Sequence, residues 1–96
     1  MSPEKLKKLT KLRKKLDNLD NSFIKLIKKR TELVKKVLQL KKYKNQIVDR
    51  KRIKIILNQI KKKSIRNNID PKITNKIWKN MISAYVDYEK RNFKRK

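Results

Sequence analysis

The 96-residue sequence contains no cysteine and no histidine. Without thiols there is no disulfide framework, no thiolate metal site and no thiol nucleophile. Without imidazoles the usual zinc and iron ligand sets and any histidine-based triad are excluded. Glycine is also absent, and the only prolines are Pro3 and Pro71. The chain is therefore poor in the residues that interrupt helices or shape tight turns. No run approaches the roughly 20 apolar residues of a membrane span. The opening stretch MSPEKLKKLTKL has neither a continuous apolar run nor a small-residue cleavage site, so it does not read as a signal peptide. A soluble, cytoplasmic protein is expected, folded as a single domain over residues 1–96.

Positive charge is what the chain has in excess. Lysine and arginine number 32 against 8 acids, a formal charge of +24. Basic surfaces attract polyanions. The excess, however, is 25 Lys to only 7 Arg and comes with 12 Ile and 9 Asn. That profile is what an AT-rich coding sequence produces, and the lysines are spread along every segment instead of forming one patch. The charge reads as solvent-facing filler, and nucleic acid is not expected as a partner; the alternative is a non-enzymatic basic helical protein that binds nucleic acid non-specifically.

The apolar residues follow helical spacing. From about Pro3 to Tyr43 they fall at 9, 12, 16, 19, 23, 26, 33, 37 and 40, in alternating steps of three and four. Such a helix is about 55–60 Å long at about 1.5 Å per residue. A chain this short cannot cover a rod of that length, so the long helix is expected to pair with its copy in a helical homodimer. A short connection around Lys44–Gln46 leads to Asp49, a suitable N-cap. A second helix follows with Ile53, Ile56, Leu57 and Ile60 on one face. Ser64–Asn68 reads as a turn. Asp70-Pro71 then gives an N-cap followed by proline at the first helical position, opening a third helix expected to bury Ile73, Ile77, Trp78, Met81, Ile82 and Tyr85. The basic end, KRNFKRK, reads as frayed. The expected fold class is all-α, with one long and two shorter helices per protomer.

Some cations do not fit the solvated face. In FIKLIKKRTELVKKVLQLK, Arg30 occupies a place in the apolar seam of Phe23, Leu26, Leu33, Val37 and Leu40. A buried guanidinium needs an anionic partner or a cavity. An internal ion pair with Glu32 or Asp20 is one solution, and a bound anion is the other. Lys41 follows eleven residues later, on nearly the same side of the helix and about 16–17 Å away, so long side chains could hold a small ligand between them. Arg13 lies roughly 25 Å before Arg30 and could share that ligand only from the other chain of an antiparallel dimer. On the third helix Trp78, Ile82 and Tyr85 form a stripe that Glu89 continues. Asp49 and Arg52 open the second helix, whose N-terminus offers amide donors to an anion. Several cations, a helix N-terminus and one acid describe a site for a small dianion, with no nucleophile–base pair, metal set or phosphate loop.

Leu12-Arg13, Leu16, Leu19-Asp20, KKRTELVKKVLQLKK, IVDRKR and Asp70-Pro71 stand in the order and spacing of the all-helical AroQ-type chorismate mutases, and the chain resembles that family from about Leu9 to Glu89. The resemblance implies an intertwined three-helix homodimer with two shared active sites, which converts chorismate to prephenate by an intramolecular Claisen rearrangement and uses no cofactor. By residue matching it implies that Arg13 from the partner chain and Arg30 each grip a substrate carboxylate. It further implies that Lys41 and Glu89 face the ether oxygen, and that Asp49, Arg52 and Tyr85 line the pocket. The physics suits such a site. The reaction needs no protein nucleophile, only a compact conformer held in place and stabilisation of the negative charge developing on the ether oxygen.

Three departures from the family pattern stand out. Ile53 replaces the usual glutamate that binds the ring hydroxyl, Arg50 replaces a proline or neutral residue, and Glu89 replaces the usual glutamine. A carboxylate at 89 would repel the developing oxyanion, so Glu89 is expected to carry its proton and act as a donor. The missing glutamate also leaves room for the sister activity on this fold, isochorismate pyruvate lyase.

Overall fold

The computed structural model describes residues 1–94. Among them the chain is helical throughout, as α1 (Pro3–Leu40), a single 3-10 turn (Lys44–Gln46), α2 (Arg50–Arg66) and α3 (Pro71–Asn92). The all-α expectation holds.

Local chemistry accounts for the ends of these elements. At the start of α1 the Ser2 hydroxyl accepts from the Lys5 N–H at 3.3 Å, with Pro3 in the first helical position, where its missing N–H costs nothing. The helix closes on a tight bond from the Lys41 N–H to the Leu38 carbonyl at 3.1 Å, so it stops at Leu40, three residues before the expected Tyr43. Asp49 caps α2, its carboxylate accepting from the Arg52 N–H at 3.0 Å. Asp70 caps α3 by accepting from the Lys72 N–H at 2.9 Å, one residue past Pro71.

The C-terminus of α2 shows how a glycine-free chain ends a helix. Asn68 takes the left-handed conformation, φ 56°, that glycine usually supplies. The Ile69 N–H then reaches the Ser64 carbonyl at 2.9 Å and the Asn68 N–H the Ile65 carbonyl at 3.2 Å. These two bonds are a Schellman motif, and Asn67 adds a side-chain amide bond to the Lys63 carbonyl at 2.7 Å. Asparagine tolerates positive φ because its short polar side chain can bond locally.

The chain forms two compact units, Met1–Leu33 and Val34–Lys96. The first is amphipathic helix whose apolar residues stay open: Leu12, Leu16, Leu19, Phe23, Leu26 and Leu33 are each 57–61% exposed. The second contains the end of α1 and the α2–α3 hairpin, in which the two helices pack together. Leu38 and Ile47 are its buried apolar residues, joined by half-buried Ile53, Ile56, Leu57 and Ile60 from α2 and Trp78, Met81, Ile82 and Tyr85 from α3.

Several expectations are corrected here. Ile73 and Ile77, expected in the core, are 56% and 51% exposed. The helical period identifies an apolar face without saying what covers it. Ser64 is not a turn residue. It lies inside α2, 3% exposed, donating to the Ile60 carbonyl at 2.6 Å and sharing a 2.7 Å hydrogen bond with Thr74 of α3. Lys90–Asn92 of the supposedly frayed end are helical, and the last two residues of that stretch lie outside the described residues.

Candidate active site

The second unit brings two of the expected residues into contact. Lys41 stands just past the end of α1, and its Nζ donates to Glu89 Oε1 at 3.2 Å. The side chains are 20% and 8% exposed respectively. Glu89 is the buried residue of α3, held four residues beyond half-buried Tyr85 on the stripe that begins at Trp78. A carboxyl group this deep requires a hydrogen-bonding partner, and Lys41 supplies it. A second, longer contact of 3.5 Å runs from Lys41 Nζ to the Ile47 carbonyl.

Asp49 and Arg52 are joined through the capping bond and sit in the exposed first turn of α2. An open cleft of about 490 Å³ lies there, lined by Gln46, Val48, Asp49, Arg50 and Lys51. Ile53 is half-buried in the same turn. Its branched aliphatic side chain has no hydrogen-bonding capacity, in line with the departure noted in the sequence.

Arg13 and Arg30 belong to the first unit. Arg13 is exposed. Arg30 is half-buried among seam neighbours that are themselves exposed, and its Nε is shielded from solvent. The expectation that this arginine is the inward-facing cation of α1 agrees with that burial.

Two groups near Lys41 were not anticipated. Gln46 Oε1 accepts from the Lys42 and Tyr43 N–H groups, both at 2.8 Å, and Ile47 contributes the carbonyl next to the ammonium. The signal for Gln46 was half of a capping box: glutamine at the third position reaching back to the N-cap amide, without the serine or threonine that usually starts it.

The second unit thus holds a buried acid–ammonium pair and a helix N-terminus, groups that can bind and polarise an anionic small molecule. Comparison with known proteins agrees in kind. The family model for chorismate mutase type II matches residues 12–90. The chain is 38% identical to a chorismate mutase from Methanocaldococcus jannaschii over 81 residues, covering 80% of this chain and 79% of that protein. No solved structure gives a significant match. These matches place the chain among small all-helical isomerases. It belongs to the chorismate mutase type II family.

Proposed function

We propose that the chain converts chorismate to prephenate, feeding the aromatic branch of the shikimate pathway, and that it does so as a homodimer in the cytoplasm. The observation that carries this reading is the Lys41–Glu89 pair, 3.2 Å apart and largely shielded from water, in a chain of this family. A Claisen rearrangement breaks a carbon–oxygen bond and forms a carbon–carbon bond within one molecule. The protein's work is to hold the reactive conformer and stabilise the charge that grows on the ether oxygen. Lys41 donates to that oxygen. Glu89 faces the same oxygen beside it and holds the Lys41 ammonium through their 3.2 Å bond. Arg30 grips one carboxylate and Arg13 of the second chain the other. Asp49, Arg52 and Tyr85 complete the pocket wall.

The dimer is supported by the apolar face of the first unit. Six leucine and phenylalanine side chains on one helical face, each more than half exposed, leave an apolar stripe of the kind that marks an interaction surface. Pairing with a second copy covers it, and each fully covered side chain contributes about 1.5–3 kcal/mol at most. No helix among the described residues is long and apolar enough to cross a membrane, so the stripe is not explained by a bilayer span.

The direct test is incubation with chorismate and detection of prephenate across acidic to neutral pH. No turnover at any pH would remove the mutase reading. Half-buried Ile53 makes isochorismate the second substrate to try, because a site without the hydroxyl-binding carboxylate discriminates less on the ring. Release of pyruvate from isochorismate, without prephenate from chorismate, would assign the lyase activity instead.

A further inference from the structure

The connection between α1 and α2 is short, yet it is closed by more hydrogen bonds than its length requires. After α1 ends, the amides of Lys42 and Tyr43 have no helical carbonyl to meet. Both are satisfied by one atom, Gln46 Oε1, at 2.8 Å each. The Gln46 N–H bonds the Tyr43 carbonyl at 3.1 Å and the Ile47 N–H the Lys44 carbonyl at 3.2 Å. The turn thus closes on the Gln46 amide and delivers Ile47, only 3% exposed, into the interior. Ile47 in turn presents its carbonyl 3.5 Å from Lys41 Nζ. Lys41 therefore stands between two acceptors. One belongs to α3 and is a side chain that can rotate. The other belongs to the backbone of this turn, whose position depends on Gln46.

From this geometry we propose that Gln46 is a positioning residue for the reaction, setting the place of the Lys41 ammonium through the 42–47 turn without touching substrate. The inference rests on the reading of Lys41 as the cation at the ether oxygen. Its physical basis is that catalysis by preformed charge depends on where the charge stands before the bond breaks, and misplacement by about 1 Å can cost on the order of 100-fold in rate. An error in the turn is shared with the rotatable Glu89 contact, so a smaller loss is expected. The effect falls on kcat, because Lys41 acts where charge develops, whereas substrate carboxylates are held elsewhere.

The test compares Gln46→Met, which keeps the length of the side chain and removes the acceptor, with Gln46→Glu, which keeps an acceptor for both amides. Gln46→Met is expected to lower kcat about tenfold, leave KM within about twofold and speed hydrogen exchange at the Lys42 and Tyr43 amides. Gln46→Glu is expected to restore slow exchange and return kcat to within about threefold of the parent. Unchanged kcat in Gln46→Met, an equal rise in KM, or failure of Gln46→Glu to rescue would each overturn the proposal. Lys41→Met assayed alongside separates the two levels. Full turnover without the ammonium would refute the underlying reading of the site. Loss of turnover in Lys41→Met together with a normal Gln46→Met would refute the positioning role alone. Should Gln46→Met not fold, Gln46→Ala takes its place in the same comparison.

Discussion

Replacing Lys41 with methionine removes an ammonium while keeping the alkyl stem, and it leaves two acceptors behind: Glu89 Oε1, 3.2 Å from the lost nitrogen, and the Ile47 carbonyl at 3.5 Å. Glu89 is the group that matters, since its side chain is only 8% exposed. Removing one partner of a fully buried pair costs about 3–5 kcal/mol, whereas an exposed pair is worth about 0–1. Lys41 is 20% exposed, so some water reaches the vacated end, and a destabilisation of about 2–3 kcal/mol at neutral pH follows, between those limits. Urea unfolding at one fixed protein concentration measures it, with the concentration held because assembly contributes to apparent stability. The double variant Lys41→Met/Glu89→Gln leaves a neutral amide in place of the stranded carboxylate and should recover most of the loss. Turnover should behave differently. Both variants lack the cation at the ether oxygen and should lose about 10²–10³-fold in kcat, the scale of one preorganised donor. A stability cost below about 0.5 kcal/mol would show that the pair behaves as an exposed one. Recovery of turnover with recovery of stability would show that Lys41 serves folding and not chemistry.

Three further outcomes are expected. Glu89→Gln keeps the side-chain length and replaces the carboxylate that Lys41 meets at 3.2 Å with an amide, so kcat should change while the helical fold persists; an unchanged kcat would show that Glu89 does not face the reacting oxygen. Ser64→Ala should cost about 1–2 kcal/mol, because the half-buried Thr74 hydroxyl loses its 2.7 Å partner and keeps only a 3.4 Å contact to the Pro71 carbonyl. Adding Thr74→Val should recover part of that loss, and simple additivity in the unfolding data would argue against coupling across the hairpin. Leu16→Glu/Leu19→Glu should convert the proposed dimer to monomer in sedimentation equilibrium and abolish activity with it. A monomeric parent would remove the need for a shared site.

Much of the helical plan was legible because the signals that set it are local. Asp70-Pro71 and Asp49 announce helix starts through bonds to amides two or three residues on, so no distant part of the fold is needed to read them. Asn67 and Asn68 marked the end of α2 for the same reason, although the boundary fell later than expected because Ser64 lies within the helix. The role of Ser64 was hidden because its partner, Thr74, sits on the next helix, and a lone serine in a polar run looks like a turn. The exposure of Ile73 and Ile77 was equally out of reach, since periodicity gives an apolar face and not its cover. Within the site, Lys41 and Glu89 were each singled out, but for a substrate oxygen. That they meet each other across 48 residues of chain is a tertiary fact with no local trace. Gln46 left only half of a familiar motif. Arg30 was visible as a cation in an apolar seam, and its half-buried side chain is what that pattern demands.

The most direct test of the account is therefore at Arg30. Replacing it with leucine restores the apolar seam, so a purely structural view and a catalytic view of this arginine predict different results. Exchange of a part-buried cation for a hydrophobic residue of similar reach is often neutral or stabilising. Unfolding of Arg30→Leu in urea should accordingly give a stability within about 1 kcal/mol of the parent or above it, while kcat/KM for chorismate falls by at least about 100-fold. A stable, correctly assembled Arg30→Leu protein that still turns chorismate into prephenate at the parent's rate would contradict the claim that the seam arginine exists to hold the substrate.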